Sequence, residues 1–339
     1  MTAELIRPAL LGLAPVACFL GALVFLDSYK LVRFGLVLGV VASGMAVAVA
    51  AYYVNGFFLG ELPVSFDAYT RYCAPLVEEA LKALVIVALL RANRLGFLVD
   101  AAILGFATGT GFAMVENLFY LQLAPGASMG TWLVRGFGTA MMHGGATAIF
   151  GVIAMAMLER NRARPIAVVL GFALAVLLHS AYNHFFFSPL ASTAGIAPAL
   201  PLLLQLVFAK SEAAVGSWLG TGFDADAQML ELIESGSFSD SPVGRYLEEL
   251  KDKFQGPIVA DLLCYLRLYT ELALRAKGIL MMRENGFDVA VDEATREKFT
   301  EMRYLEKSIG ATGLRALRPV LKLRQRELWQ LYMLEGGLG

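Results

Sequence analysis

Histidine is scarce in this chain of 339 residues. His143, His179 and His184 are the only three, and none falls in the last third. Cysteine is equally rare. Cys18, Cys73 and Cys264 are too few and too scattered for a disulfide framework or a cysteine-based zinc site, and they read as packing residues. The His-Glu-x-x-His signature of many zinc peptidases is missing. Charge is sparse too, at 17% of residues, with a net value of −1 that by itself gives no argument about nucleic acid.

Apolar residues are what the chain has in abundance. They make up 58% of it, and mean hydropathy is +0.62, against roughly 45–50% apolar for a soluble domain. The charge is unevenly spread: residues 1–209 carry 11 Lys and Arg with 9 Asp and Glu, and residues 210–339 carry 17 and 20. This predicts an all-α protein, a polytopic membrane bundle over 1–209 followed by a water-soluble helical domain over 210–339. A helix needs about 20 mostly apolar residues to cross a bilayer. Seven runs come near that: Pro8–Leu26, Phe34–Tyr53, Cys73–Leu90, Phe97–Leu123, Trp132–Leu158, Ile166–Phe187, and Pro198–Ala209 extended through Ala213–Leu219. The first reads as a span rather than a signal peptide, because its head is mixed in charge and no clear small-residue cleavage site comes after it.

Basic residues collect in alternate loops. Lys30 and Arg33, then Arg91 and Arg94, then Arg160, Arg162 and Arg164 alternate with loops that carry one basic residue or none. The positive-inside rule then sets the N-terminus outside and residues 210–339 in the cytoplasm. Those residues read as helices. Ser241-Pro242 and Gly256-Pro257 open two of them, Asp292 caps a third that runs to Ile309, and Thr312–Leu334 forms the last. Leu263, Leu266, Tyr269, Leu272 and Leu280 make a stripe suited to burial. Such a bundle fits docking of a cytoplasmic partner or of the membrane domain. Lys322, Arg324 and Arg326 read as a solvated or lipid-headgroup face, so no nucleic-acid partner is expected.

The chemistry lies in the ionisable residues of the apolar runs. A charge inside a bilayer costs several kcal/mol and marks a functional site by default. Glu78 with Glu79, Glu116, His143 and His179 sit on four separate spans, with Asn183 four residues after His179 on the same helical face. Glu78 and Glu79 point about 100° apart, so they cannot serve one atom together. Lys82, four residues after Glu78, is expected to pair with it and leave Glu79 freer to face the interior. His184 lies near the end of its span and reads as interfacial. Asp100 and Arg135 are expected to snorkel or pair. Gly105 and Gly109 form a small-residue face that lets a neighbouring helix come close.

Two chemistries fit this set. In one, a glutamate and His143 activate water while His179 and Asn183 donate hydrogen bonds to a developing oxyanion. In the other, a metal, with zinc the best match, is held by donors among Glu79, Glu116, His143 and His179. Two non-proteolytic readings are also compatible with intramembrane glutamate and histidine: a proton-coupled transporter, and a membrane scaffold or sensor.

Four motifs in order, Glu78-Glu79-x-x-Lys82, Gly109-x-Gly111-Phe112-Ala113-x-x-Glu116-Asn117, His143, and His179-x-x-Tyr182-Asn183, resemble the PrsW family of intramembrane proteases. That family is similar to the type II CAAX prenyl endopeptidases of the ABI superfamily. The likeness covers about Cys73 to Phe187, with Tyr182 standing where tryptophan is common and with a C-terminal domain that the short prototype lacks. It implies hydrolysis of a peptide bond in or near the membrane, with a membrane-bound protein such as an anti-sigma factor as substrate and the bacterial cytoplasmic membrane as location. It also implies that Glu78, Glu79, His143, His179 and Asn183 are the family's functional residues, in a family often classed as metallopeptidase.

Overall fold

The structure is a computed structural model that describes residues 3–124, 126–160, 164–287, 289–321 and 325–336. Among these residues the chain is helical and contains no strand. It divides into two compact units. One comprises Met1–Ser28 with Val32–Glu212, the other Tyr29–Leu31 with Ala213–Gly339. Arg162, Lys322 and Arg324 lie outside the described residues.

The first unit holds α1 (Ala3–Leu26), α2 (Phe34–Glu61), a single turn α3 (Phe66–Ala68), α4 (Ala74–Arg91), α5 (Leu98–Leu123), a short α6 (Met129–Leu133), α7 (Ala140–Glu159), α8 (Arg164–Asn183) and the start of α9 (Pro189–Glu234). A π-helical turn at Tyr69–Cys73 leads into α4, and another at Val134–Thr139 leads into α7. The one-residue widening of a π turn rotates the helix beyond it and is common at functional sites. Here the two turns precede the helices that carry Glu78 and His143.

Among the described residues, six helices are long and apolar enough to cross a membrane: Ile6–Leu26, Phe34–Glu61, Leu98–Leu123, Met129–Glu159, Pro165–Asn183 and Pro189–Glu234. The expected span that falls outside this set is α4. Its 18 residues include Glu78, Glu79, Lys82 and Arg91, which is too much charge for a lipid-facing segment. Glu79 and Lys82 are buried instead, so protein rather than lipid solvates them. The last expected span is longer than its apolar core, since α9 continues for 46 residues, about 70 Å at the helical rise.

Helix α5 is the hub, buried along most of its length between α2 and α7. Glycine makes this possible. A Cβ on Gly109 would collide with the backbone of His143 and Gly144, and one on Gly111 with the carbonyl of Val41. Bare backbone therefore lets α7 and α2 close on α5, and this brings Glu116 of α5 to His143 of α7. Asp100 is buried at the helix start. Its Oδ2 accepts from the N–H groups of Gly96 and Phe97 at 2.8 and 3.1 Å. These are donors that a helix start leaves without intrahelical partners.

In the second unit, Ser241 caps α10 (Pro242–Glu249) through Gly244 N–H, with proline at the first helical position. Helix α11 (Gly256–Glu284) stops before Gly286, which has φ +80°. Asp292 caps α12 (Glu293–Leu317) through Thr295 N–H at 3.0 Å. Gly310 kinks α12 at φ +63°, next to the expected end at Ile309. Thr312–Leu334 is not one helix. A turn at Arg318–Val320 ends α12, and α13 (Gln325–Gly336) begins anew. Pro319 is the physical reason, lacking the N–H that a continuing helix needs and restricting the residue before it. The α11 stripe faces the core at Leu266, Tyr269, Leu272 and Leu280, while Leu262 rather than Leu263 is the deeply buried leucine of the first turns.

Candidate active site

The polar residues of the first unit form one connected set. On α4, Glu79 is the inward carboxylate, with 2% of its side chain exposed against 16% for Glu78. The Glu79 Oε1 accepts from Lys82 Nζ at 2.7 Å and lies 2.9 Å from His179 Nδ1. Lys82 is fully buried and also reaches His143 Nδ1 at 2.9 Å, above the Phe112 ring. The expected Glu78–Lys82 pair is therefore replaced by Glu79–Lys82. A buried ammonium needs partners on its own side of the helix, and that side holds Glu79 and His143. Glu78 is left as the carboxylate that meets open space. Its Oε1 accepts from Asn55 Nδ2 at 3.1 Å, and its Oε2 lies 3.9 Å from His179 Nε2.

His143 and His179 face each other edge to face with ring centroids 4.7 Å apart. His143 Nε2 lies 2.8 Å from Glu116 Oε2. The other oxygen of Glu116 accepts from Arg135 at 2.9 Å. Arg135 in turn donates to Asn117 Oδ1, and Asn117 Nδ2 donates to the Gly12 carbonyl. Arg135 thus pairs with a carboxylate and locks the C-terminal half of α5 to α1 and to the π turn before α7.

Asn183 stands apart from this set. Its amide donates to the Thr70 carbonyl at 3.0 Å, and Ser180 Oγ donates to the Arg71 carbonyl at 2.6 Å. Both acceptors lie in the Tyr69–Cys73 turn. Asn183 thus holds the turn in front of α4. His184 is spent on the Ser180 carbonyl and on the rings of Tyr72 and Phe186, away from the cluster.

Among the described residues, Glu78, His143 and His179 each offer one ligand atom within 4.8 Å of the others. This differs from the expected donor set of Glu79, Glu116, His143 and His179. Glu79 uses Oε1 to orient His179 and neutralise Lys82, and Glu116 is engaged by Arg135 and by His143 Nε2. The donor chemistry fits a metal of the zinc type: two imidazoles and a carboxylate leave a position open for water. The second sphere fits as well. Contact of His179 Nδ1 with a carboxylate leaves Nε2 toward the Glu78 side, the usual support of a metal-binding histidine.

The outer side of the site is a cavity of about 530 Å³ lined by Glu78 and Glu116, with Asn55 and Tyr69 on its wall. Tyr69 donates to Asn55 Oδ1, which completes a chain from the turn to Glu78. Sequence reasoning missed Asn55 and set Arg135 aside. The signal was present in both cases: each is a polar residue in an otherwise apolar stretch.

A helical membrane bundle that gathers two histidines and three glutamates beside a cavity has the equipment of a membrane-embedded hydrolase. The model of the PrsW family intramembrane metalloproteases matches residues 32–210, more than half of the chain. The chain belongs to that family and is an intramembrane protease. Neither curated proteins nor solved structures offer a match to it.

Proposed function

We propose that this protease hydrolyses a peptide bond of a membrane-bound regulatory protein, of the kind represented by anti-sigma factors, and that Glu78, His143 and His179 hold a zinc ion. The observation that carries this reading is the convergence of those three side chains from α4, α7 and α8 at the wall of a cavity that Glu116 also lines. Zinc there would supply Lewis acidity, polarising the scissile carbonyl and making water nucleophilic near neutral pH.

The remaining residues divide the work. Glu116, on the cavity wall with Oε2 beside His143 Nε2, is the base that takes the proton from the attacking water and returns it to the leaving amine. Arg135 holds the other oxygen of Glu116 and so fixes the direction of that lone pair. Glu79 keeps the His179 proton on Nδ1, and Lys82 offsets the charge of Glu79. Asn55 aligns Glu78 through Oε1. Asn183 and Ser180 clamp the π turn that sets the rotation of α4.

The basic loops at Lys30 and Arg33, at Arg91 and Arg94, and around Arg160 support an N-terminus outside and a cytoplasmic C-terminal domain, with α4 crossing inside the bundle. The C-terminal helices then present a soluble surface for a cytoplasmic partner. The bacterial cytoplasmic membrane is the natural place for such an arrangement.

The test compares membrane-protein fragments from cells producing the wild type or Glu78→Gln at equal abundance, by mass spectrometry of N-terminal peptides. A new terminus near a membrane segment, present with the wild type and lost at least a hundredfold with Glu78→Gln, is expected. Equal termini from both chains would sink the assignment.

A further inference from the structure

The cavity in front of Glu78 and Glu116 has a largely apolar wall. Its wall is built by Tyr52, Phe66, Phe112 and Phe119, its depth is set by the small and buried Ala51, and Gly56 stands exposed at its edge. Three polar residues of the wall are matched to one another: Tyr69 donates to Asn55, and Asn55 to Glu78. What remains for a ligand is aromatic and aliphatic surface next to two carboxylates, with no basic side chain among the lining residues.

Size narrows the occupant. One turn of a helix with side chains, 5.4 Å of a cylinder about 10–12 Å wide, already fills roughly 500 Å³. A cavity of about 530 Å³ therefore admits a short unwound stretch and not a whole substrate helix. We propose that this cavity is the subsite for a large apolar side chain of the substrate, of the leucine, methionine or phenylalanine type, carried on an unwound segment beside the cleaved bond. The inference rests on the protease reading and adds selectivity to it. Apolar walls reward each added methylene by about 10-fold or more. The two carboxylates repel an acidic side chain at the same position.

Two variants change the cavity in opposite directions. A Cβ at Gly56 meets no heavy atom within 4 Å, so Gly56→Leu branches from open space at the edge of the cavity. Phe119→Ala widens it. Gly39→Leu, at an equally open glycine on the same helix outside the cavity lining, controls for changes in α2 itself. The probe is a set of apolar peptides of about 25 residues, long enough to span a bilayer, varied at their central positions, in proteoliposomes containing the full chain. Cleavage sites are read by mass spectrometry.

The wild type and Gly39→Leu should favour Leu, Met or Phe over Ala at one position flanking the cut by about tenfold or more. Gly56→Leu should cut that ratio roughly tenfold, and Phe119→Ala should move the preference toward Phe and Trp. A flat wild-type profile, or one that neither cavity variant alters, overturns the subsite while leaving the protease reading intact. Absence of wild-type cleavage for every peptide overturns the protease reading and the subsite together. If Gly56→Leu does not fold, Phe119→Ala decides alone.

Discussion

Among the described residues two lysines are buried, one in each unit, and their surroundings differ in kind. Lys82 of the first unit contacts Glu79 and His143, and through them reaches His179, Glu116 and the cavity. Lys277 of the second unit contacts Asp226 at 2.6 Å and the Gln330 amide at 3.0 Å, with the Trp218 ring 4.8 Å from its ammonium. A buried ion pair by itself is a structural device that trades desolvation for a defined geometry. What separates the first from the second is continuity. Around Lys82 each partner touches another ionisable group until the chain arrives at the cavity that Glu78 and Glu116 line, whereas the direct partners of Lys277 are one carboxylate, an amide and an indole, none of which lines that cavity.

The largest effects should come from breaking each cluster in turn. Lys82→Met leaves Glu79 buried beside His179 without its cation. A loss of about 3–5 kcal/mol in stability is expected, together with loss of cleavage. Lys277→Met leaves Asp226, whose side chain is 27% exposed and can reach water. Its cost should be smaller, about 1–3 kcal/mol, with cleavage in proteoliposomes retained. Thermal unfolding and cleavage rates of the two purified variants make the check. Cleavage lost with Lys277→Met while the chain stays folded would erase the distinction, and so would full activity of Lys82→Met.

A finer test separates the two glutamates of α4. Glu79→Gln keeps an oxygen that can accept from His179 Nδ1 but removes the charge that strengthens the imidazole. Loss of such outer support typically costs 10- to 100-fold in metal affinity or activity. Glu78→Gln should cost far more and should empty the site. Zinc content of the two purified variants, read beside their cleavage rates, distinguishes them. Equal loss in both would mean that the orienting and ligating roles are not divided between Glu78 and Glu79 in this way.

Much of this was legible from residue types alone. Glutamates and histidines in apolar runs mark a membrane-embedded site whatever the fold, and the Gly105 and Gly109 spacing announces close helix approach. The order of motifs places the family. What stayed hidden depends on helix rotation. Whether Lys82 turns to Glu78 or to Glu79 is set by the α4 register, which a π turn fixes and which no residue pattern in Tyr69–Cys73 declares. The same turn takes a hydrogen bond from Asn183, a contact that its four-residue spacing from His179 does not announce. Asn55 was readable as a lone amide in an apolar helix, but its role was not, because its partners Tyr69 and Glu78 come from other segments. In the second unit Pro319 was a readable stop signal that outranked the helical periodicity around it.

The smallest expected effect concerns the second unit and sharpens the contrast from its side. Tyr265 is buried and donates to Glu306 Oε1 at 3.0 Å. Burial first, and the neighbouring Glu306 charge second, push its phenol well above the ordinary value of 10.0. The folded state therefore holds this proton more tightly than the unfolded state does. The stabilisation is complete below about pH 10, where both states are protonated, and declines as pH rises beyond that value and the unfolded phenol ionises. Alkaline unfolding, followed by far-ultraviolet circular dichroism, should begin above about pH 10 in the wild type. Tyr265→Phe should flatten that dependence while losing the single hydrogen bond, about 1 kcal/mol at neutral pH. An unchanged alkaline slope would show that Tyr265 ionisation does not govern this transition. Cleavage should be the same in both chains at neutral pH, because the hydrogen bond of Tyr265 runs to Glu306 of its own unit and not toward Glu78, His143 and His179. A change in cleavage would join two ionisable networks that the Lys82 and Lys277 comparison keeps apart.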